Sequence, residues 1–258
     1  MIEFSFYLVV ILFALIAFAS FVDAIAGGGG LITVPSYLAI GVPGHLVLGT
    51  NKLVSSAGTG LAVFKLLKHH KVDRRFVFFV VAASLLGAFF GAMLSHFLDE
   101  KKMVYLLLVI VPIMLVLNVL KQRLRSEAIA ISLEAKQRLM RGVILCLIVG
   151  AYDGFFGPGT GTFLYLGLTY FVFFSVKQAT VYARIINFAS NVSAMSYFLA
   201  IGAIDWEIVI IALPAALTGA WLGSHVVIKG PEKWISWMVI FVLILLLTKS
   251  VYSVLLGA

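Results

Sequence analysis

Two aspartates, each followed by a glycine-rich break, are the first residues whose types and spacing suggest chemistry. Asp23 closes a long apolar run and precedes Gly27–Gly30, and Asp153 precedes the Gly157–Gly159 segment. Glycine costs a helix about 1 kcal/mol relative to alanine, and a carboxylate inside an apolar membrane segment is more expensive still. Because irregular backbone at membrane depth is tolerated only where protein or a polar cavity surrounds it, the breaks predict a buried polar site.

The chain after each break favours a short helix whose amino end faces the break. Leu31–Ile40 and Thr162–Phe174 are apolar but shorter than the roughly 17–25 residues that span a bilayer. Each suits a half-helix or a re-entrant segment. The free N–H groups and positive dipole end of a helix start attract an anion, and glycine lets a ligand approach the backbone closely. An anion site between the two breaks is therefore expected.

Two cations support an anion site, because charged residues inside apolar helices are rare and usually functional. Lys52 offers a point charge and Arg184 a planar fork that matches an oxyanion. Further neutral hydrogen-bonding groups are Thr50, Ser55, Thr59, Thr180 and Ser190. The candidate substrate-binding residues are Gly27, Gly28, Gly29, Gly30, Asn51, Lys52, Gly157, Gly159, Thr160, Arg184, Asn187 and Asn191, and the candidate proton carriers are Asp23 and Asp153.

The same polar residues could instead have purely structural roles that involve no substrate. Lys52 and Arg184 could neutralise Asp23 and Asp153 as buried pairs, or Lys52 could extend its ammonium to a membrane interface, because it lies near a helix start. The aspartates could only brace the breaks, since aspartate bonds backbone N–H groups in turns. Asparagine and serine in membrane helices often make only interhelical hydrogen bonds.

The composition predicts the elements that position these residues. Of 258 residues, 62% are hydrophobic and 12% charged, against roughly 25% charged in soluble domains, and the mean hydropathy is +1.12. This indicates an all-α integral membrane bundle, and the net charge of +8 fits cytoplasmic loops rather than nucleic-acid binding. The predicted long transmembrane helices are Phe4–Ile25, Val47–Leu67, Phe76–Leu98, Met103–Leu120, Gly142–Phe156, Val181–Ala200, Ile208–Val227 and Trp234–Leu256.

An internal duplication relates the two halves of the chain. A shift of 132 residues places Lys71–Gly91 on Ala203–Gly223, where Asp73 matches Asp205 and the glycines of two G-x-x-x-G motifs coincide, and it places Lys52 on Arg184. A shift of 130 residues places Asp23–Thr33 on Asp153–Phe163. The G-x-x-x-G motifs themselves indicate close helix packing. The predicted organisation is a membrane repeat over 1–121, a cytoplasmic connector with an interfacial helix over 122–141, and a second membrane repeat over 142–258.

Loop charges indicate that the repeats are inverted. Residues 65–75 hold five basic residues and one acidic residue, whereas the equivalent loop 197–207 holds two acidic residues and no basic one. The connector 121–141 holds six basic and two acidic residues. The positive-inside rule places 65–75 and the connector in the cytoplasm and 197–207 outside. Inversion requires an odd number of crossings in each half, so each break with its short helix counts as one, giving five plus five and both termini outside.

The ordered motifs resemble the sulfite exporter TauE/SafE family over essentially the whole chain. They are an Asp before a glycine break and Pro35, then "GTNKL" with small residues, then "ARIINFASN". The first signature matches Asp23, Gly27–Gly30, Asn51 and Lys52, and the second matches Asp153, Gly157, Gly159, Arg184, Asn187 and Asn191. In the second break Pro158 and Thr160 interrupt the glycines and Tyr165 replaces the equivalent of Pro35, so unequal half-sites are expected.

The resemblance implies a bacterial or archaeal inner-membrane permease for small sulfur-containing anions such as sulfite and sulfonates, usually moved outward. We therefore expect a secondary transporter, with a passive anion channel as the alternative. An enzyme is not expected, because no metal cluster or nucleophile with a base is evident, and Cys146 is the single cysteine. No cofactor, metal or nucleic acid is expected. The expected partners are a small anion and the lipid bilayer, and a homo-oligomer stays open.

Overall fold

Nine α-helices account for most of the part of the chain that the structure describes. The computed structural model describes residues 6–124 and 134–229, which contain no β-strand, so the predicted all-α class is confirmed. The helices are α1 (Phe6–Ala26), α2 (Gly30–Ala39), α3 (Gly44–His69), α4 (Arg74–Leu94), α5 (Glu100–Leu124), α6 (Ala135–Phe155), α7 (Thr160–Tyr170), α8 (Val176–Ala200) and α9 (Trp206–Lys229), and a 3-10 turn (Ser95–Phe97) follows α4.

Seven of the eight predicted long segments correspond to helices of 21 to 26 residues. At 1.5 Å per residue such helices are long enough for a hydrocarbon core of about 30 Å. Three of the described helices are long and apolar enough to cross a membrane by length and composition: Phe6–Ile25, Arg74–Phe97 and Trp206–Val226. That all eight segments cross stays a prediction, and Trp234–Leu256 lies outside the described residues.

The two short helices are α2, with 10 residues, and α7, with 11 residues. They begin at Gly30 and Thr160, one and two residues before the predicted starts, because the chain turns into the helix as soon as each break ends. α6 begins at Ala135, inside the predicted connector, and residues 125–133 of that connector lie outside the described part. The predicted domain boundaries stay a prediction.

Two equivalent aspartates cap equivalent helices. The Asp73 carboxylate accepts hydrogen bonds from the first backbone N–H groups of α4 at 2.9 and 3.2 Å, and Asp205 does the same for α9 at 3.1 Å. Such caps satisfy donors that a helix start leaves free. The backbone N–H of Asp73 donates to the hydroxyl of Tyr182 on α8, and that of Asp205 donates to Thr50 on α3. The caps therefore fix each loop against a helix of the other half.

Small residues set the helix packing. α4 packs along α6, and α1 packs along α9. A Cβ atom at Gly87 or Gly91 would collide with the backbone of α6, and one at Gly219 or Gly223 would collide with α1. The predicted close packing at both G-x-x-x-G motifs is thus confirmed, and backbones approach there because no side chain intervenes.

The α3–α8 pair lies between these two pairs, since α3 also contacts α9 and α8 also contacts α4. One apolar core joins α1, α2, α3 and α9, and a second joins α4, α6, α7 and α8. Many large apolar side chains point outward instead, including Phe78, Ile148 and Ile210, each more than 60% exposed. An apolar exterior of this extent is typical of a surface that meets lipid.

Candidate functional site

The two glycine breaks meet inside the protein. A Cβ atom on Gly27 would lie 2.7 Å from the backbone of Gly161, and one on Gly161 would lie 2.6 Å from Gly27. Gly27 also has a φ of +74°, which strains any other residue. The hydroxyl of Thr162 donates to the Gly27 carbonyl at 2.9 Å. The breaks of the two halves therefore form one contact, as the sequence predicts for a shared site.

Each aspartate holds its own break. Asp23 Oδ1 accepts a hydrogen bond from the Gly29 N–H at 3.0 Å, and Asp153 Oδ1 accepts one from the Thr160 hydroxyl at 2.7 Å. These contacts fix the turn from α1 into α2 and from α6 into α7. The bracing interpretation of the aspartates is therefore confirmed for the break itself.

The half-sites are unequal, as the interrupted glycine run predicts. Gly29, before α2, has a right-handed conformation with a φ of −54°. Its equivalent Gly159, before α7, is left-handed with a φ of +88°. The glycine at 159 allows α7 to start at a different angle from α2, because only glycine enters the left-handed region at no steric cost.

The cations pair with the aspartates crosswise between the halves. Lys52 Nζ lies 2.7 Å from Asp153 Oδ1, and both side chains are 2% exposed. Arg184 Nη1 lies 4.0 Å from Asp23 Oδ2, with exposures of 5% and 20%. Buried pairing is thus confirmed for Lys52 and Asp153, whereas Arg184 and Asp23 are at the distance limit of an ion pair and the carboxylate is partly exposed. The interpretation that Lys52 reaches a membrane interface is wrong, because its ammonium is enclosed by the break of the other half.

The two pairs differ in how fully they are hydrogen-bonded. Lys52 donates to Asn191 Oδ1 at 3.1 Å in addition to its contact with Asp153. Within the described part of the chain, Nε and Nη1 of Arg184 and Oδ2 of Asp153 are buried without a hydrogen-bond partner. A buried polar group left without a partner costs about 1–3 kcal/mol. Among the described residues, Arg184 is therefore a buried donor with two nitrogens that make no hydrogen bond.

A small polar cavity lies where the breaks and α3 and α8 converge. It offers about 20 Å³ to the centre of a water molecule, which suits about one water. Eleven of the fourteen predicted residues line it: Asp23, Gly28, Gly30, Asn51, Lys52, Asp153, Gly157, Gly159, Thr160, Asn187 and Asn191. We call this the central cavity; a role of these residues in binding stays a prediction.

The other three predicted residues lie beside the central cavity. Arg184 and Gly29 line an adjoining cavity of about 10 Å³, which Asp23 and Ser55 share with the central one. Gly27 supplies the contact between the breaks. The two cavities are thus separated only by the Asp23 region, and Arg184 reaches the site from the adjoining side.

Sequence reasoning missed residues that complete the site. Gly161 lines the central cavity, and its signal was the third glycine in "GPGTG". The Thr33 hydroxyl donates to Asn51 Oδ1, and the Tyr152 hydroxyl donates to the Pro158 carbonyl, and neither position carries a sequence signal. Thr50 lines neither of the two cavities, and its hydroxyl accepts the Asp205 N–H at 2.9 Å.

Comparisons with known proteins agree with this architecture. A family model described as sulfite exporter TauE/SafE matches residues 12–250. A probable membrane transporter protein of Haemophilus influenzae is 34% identical over 95% of both chains. The probable membrane transporter protein ORF9 of a Sinorhizobium species is 32% identical over 95% of this chain and 92% of its own. YfcA of Escherichia coli (strain K12), also named a probable membrane transporter protein, is 30% identical over 94% and 89%.

No solved structure matches the chain. The family match covers most of the sequence and includes both glycine breaks and both cations. Many large apolar side chains are exposed on the described part of the protein. The chain is therefore a membrane protein that belongs to the sulfite exporter TauE/SafE family.

Proposed function

We propose that the protein is a multi-pass inner-membrane transporter that exports a small sulfur-containing oxyanion, such as sulfite or an organosulfonate. The observation that carries this proposal is the buried Arg184 guanidinium, whose unused N–H groups lie beside the cavity between the two breaks. A guanidinium fork matches the geometry of an oxyanion. The starts of α2 and α7 line the central cavity and add the positive ends of two helix dipoles.

A duplicated architecture with inverted halves fits this function. The contact of α1 with α9 has its equivalent in the contact of α6 with α4, and the crosswise pairs Lys52–Asp153 and Arg184–Asp23 are equivalent in the same way. Because each contact from the first half to the second has an equivalent in the reverse direction, these contacts support two halves related by a two-fold axis. The charge contrast between loops 65–75 and 197–207 supports opposite orientations, and sites of inverted-repeat transporters lie near the midplane between such repeats.

The size of the central cavity favours a carrier over a passive channel. A space for about one water cannot hold sulfite until the helices around it move, whereas an open anion channel needs a continuous path. The cavity of about 20 Å³ therefore supports an occluded state of a protein that opens alternately to each side.

Asp23 is the proposed coupling residue, because its ion pair is the looser of the two. An anion that engages Arg184 removes the counter-charge of Asp23, and the carboxylate and the anion then repel unless a proton enters with the anion. Lys52, Asp153 and Asn191 instead form a hydrogen-bonded network that braces the site. Anion and proton are thus expected to move in the same direction. Export is then driven by the outward concentration gradient of the substrate, and the inward proton gradient opposes it.

Counterflow in proteoliposomes tests the transporter and its coupling. Vesicles preloaded with unlabelled sulfite should accumulate labelled sulfite transiently above equilibrium, because a carrier exchanges substrate and a channel does not. An inward proton gradient should accelerate uptake by the wild-type protein. Asp23→Asn should keep substrate binding and lose this acceleration, since the amide cannot take up the proton.

Two results would contradict the proposal. Absence of any overshoot with sulfite and sulfonates would remove the carrier function for this substrate class. If the Asp23→Asn variant kept the wild-type response to the proton gradient, Asp23 would not couple proton movement to transport. Its role would then be only to brace the glycine break.

A further inference from the structure

Two clefts lie at opposite ends of the α3–α8 pair. The first, which we call the histidine cleft, has a volume of about 560 Å³ at the start of α3 and is lined by His45, His96 and Ala203 among others. The second, the lysine cleft, has a volume of about 150 Å³ at the start of α8 and is lined by His70, Lys71 and Lys177 among others. Neither belongs to the central cavity, whose lining residues are different.

The clefts occupy equivalent positions in the two halves. The shift of 132 residues places His45 on Lys177 and places His70 and Lys71 on Gly202 and Ala203, and all of these residues line one cleft or the other. Each cleft therefore lies between the start of one central helix and the loop that follows the other. The repeat has produced one such opening at each end of the pair.

Each cleft is close to one cation of the central site. Lys52 follows His45 by seven residues on α3, and Arg184 follows Lys177 by seven residues on α8. At 1.5 Å per residue, seven residues of helix advance about 10 Å. A small anion in the lysine cleft is thus about two helical turns from the unused donors of Arg184.

The two linings differ in charge. The lysine cleft carries two lysines, and among its described lining residues there is no carboxylate. The described lining of the histidine cleft holds neither lysine, arginine nor carboxylate. Burial, and then the charges of Lys177 and His69, lower the pKa of His70, which agrees with a positive local field. The nearby Asp73 carboxylate is occupied in capping α4.

We propose that the lysine cleft binds the small oxyanion substrate before it enters the central cavity, and that the histidine cleft, which carries no fixed charge, releases it. The inference rests on the proposed function and adds a second anion site and a direction to it. The lysine cleft offers about 150 Å³ while the closed central cavity offers about 20 Å³. Lysine ammonium groups and the amino end of α8 together attract an oxyanion, whereas the opposite cleft does not retain it.

The test is the concentration dependence of labelled sulfite transport in proteoliposomes of known orientation. Substrate is supplied first on the side that carries Lys71 and then on the other side. For Lys71→Gln/Lys177→Gln, KM from the lysine side should rise at least about tenfold, because the loss of each charge-assisted hydrogen bond lowers affinity by about tenfold or more. The maximal rate from the lysine side and KM from the other side should stay at wild-type values. The maximal rate from the other side should then fall by the same factor, because a carrier variant cannot change the equilibrium distribution of the substrate.

Two matched variants separate a binding site from a general surface charge. Lys71→Arg/Lys177→Arg keeps both charges and should keep KM near the wild-type value. Arg74→Gln/Arg75→Gln removes two charges from exposed neighbours outside the cleft and should leave KM almost unchanged. Thermal unfolding of each purified variant verifies that the fold is intact, which is expected because Lys71 and Lys177 are exposed.

The outcomes distinguish this inference from the proposed function. If the wild-type protein transports sulfite and Arg184→Gln does not, but the double glutamine variant keeps its KM, the lysine cleft is not a substrate site and the proposed function stands. An equal KM change in Arg74→Gln/Arg75→Gln, or an equal rise of KM from both sides, also overturns the inference. If the wild-type protein moves no sulfur oxyanion, the proposed function fails and the inference fails with it.

Discussion

At the scale of single residues, two equivalent cations have different surroundings. Lys52 is held by Asp153 at 2.7 Å and by Asn191 at 3.1 Å. Arg184 is 4.0 Å from Asp23, and two of its nitrogens have no hydrogen-bond partner among the described residues. The Lys52 ammonium is therefore bound within the protein, while two nitrogens of Arg184 can still donate hydrogen bonds to a ligand. The pseudo-symmetry of the sequence does not extend to the chemistry of these two positions.

The residue-scale prediction compares Arg184→Gln with Lys52→Gln. Arg184→Gln should fold and lose about tenfold or more in substrate affinity, because charge-assisted hydrogen bonds contribute roughly 1.5–3 kcal/mol each. Lys52→Gln leaves the buried Asp153 without its counter-charge, which typically costs about 3–5 kcal/mol. The measurements are thermal unfolding without substrate and the shift that sulfite produces in it. Wild-type affinity in a folded Arg184→Gln variant would assign Arg184 a structural role.

At the scale of elements, the glycine breaks allow two helix starts to meet in the interior. α1 must end and α2 must begin within three residues, and the break packs directly on the start of α7 through Gly27 and Gly161. Aspartate side chains hold both turns. The short helices are thus positioned by their breaks, and the backbone contact leaves no room for a side chain at Gly27.

The element-scale prediction concerns Gly27→Ala with Gly41→Ala as its matched control. Both positions have positive φ values, +74° and +87°. A Cβ atom at Gly27 meets the Gly161 backbone, whereas one at Gly41 meets nothing within 4 Å among the described residues. Gly41→Ala should lose about 1 kcal/mol from backbone strain, and Gly27→Ala should lose several times as much and disturb the site. Thermal unfolding of the two purified variants checks this, and equal losses would show that strain alone matters.

At the scale of the whole molecule, each half makes equivalent contacts with the other half around the central α3–α8 pair. α1 lies on α9 as α6 lies on α4. The backbone N–H groups of the capping residues Asp73 and Asp205 donate to the hydroxyls of Tyr182 and Thr50 in the opposite halves. In the proposed two-fold arrangement, both halves form the site together. Opening it to either side then requires movement of one half against the other, which is the basis of alternating access in inverted-repeat transporters.

The whole-molecule prediction concerns the sides on which the two clefts open. Lys71→Cys and Ile201→Cys, each in a Cys146→Ser background, place thiols at exposed positions of equivalent loops. An impermeant maleimide should label Lys71→Cys only from the cytoplasmic side and Ile201→Cys only from outside, because the positive loop stays inside. The Cys146→Ser background alone should remain unlabelled. Labelling of both positions from one side would show that the repeats are parallel.

The sequence by itself determined the all-helical class, and it predicted the duplication and the polar residues that line the central cavity, because each depends on local pattern. Apolar runs, glycine breaks and the order of Asp23, Lys52, Asp153 and Arg184 are all visible along the chain. The starts of the two short helices, Gly30 and Thr160, lie within two residues of the predicted starts, because glycine disfavours a helix. The family resemblance rests on the same linear signals.

Only the tertiary structure decided which charges meet and which donors stay unused. Lys52 and Asp153 are about a hundred residues apart, and their 2.7 Å contact depends on how α3 packs against the break of the other half. The looser Arg184–Asp23 pair, the contact of Gly27 with Gly161, and the two clefts at the ends of α3 and α8 follow from the same packing. A linear pattern specifies which groups are present. Differences of about an ångström in the distance between groups on separate helices decide whether a buried cation is hydrogen-bonded within the protein or available to an anion.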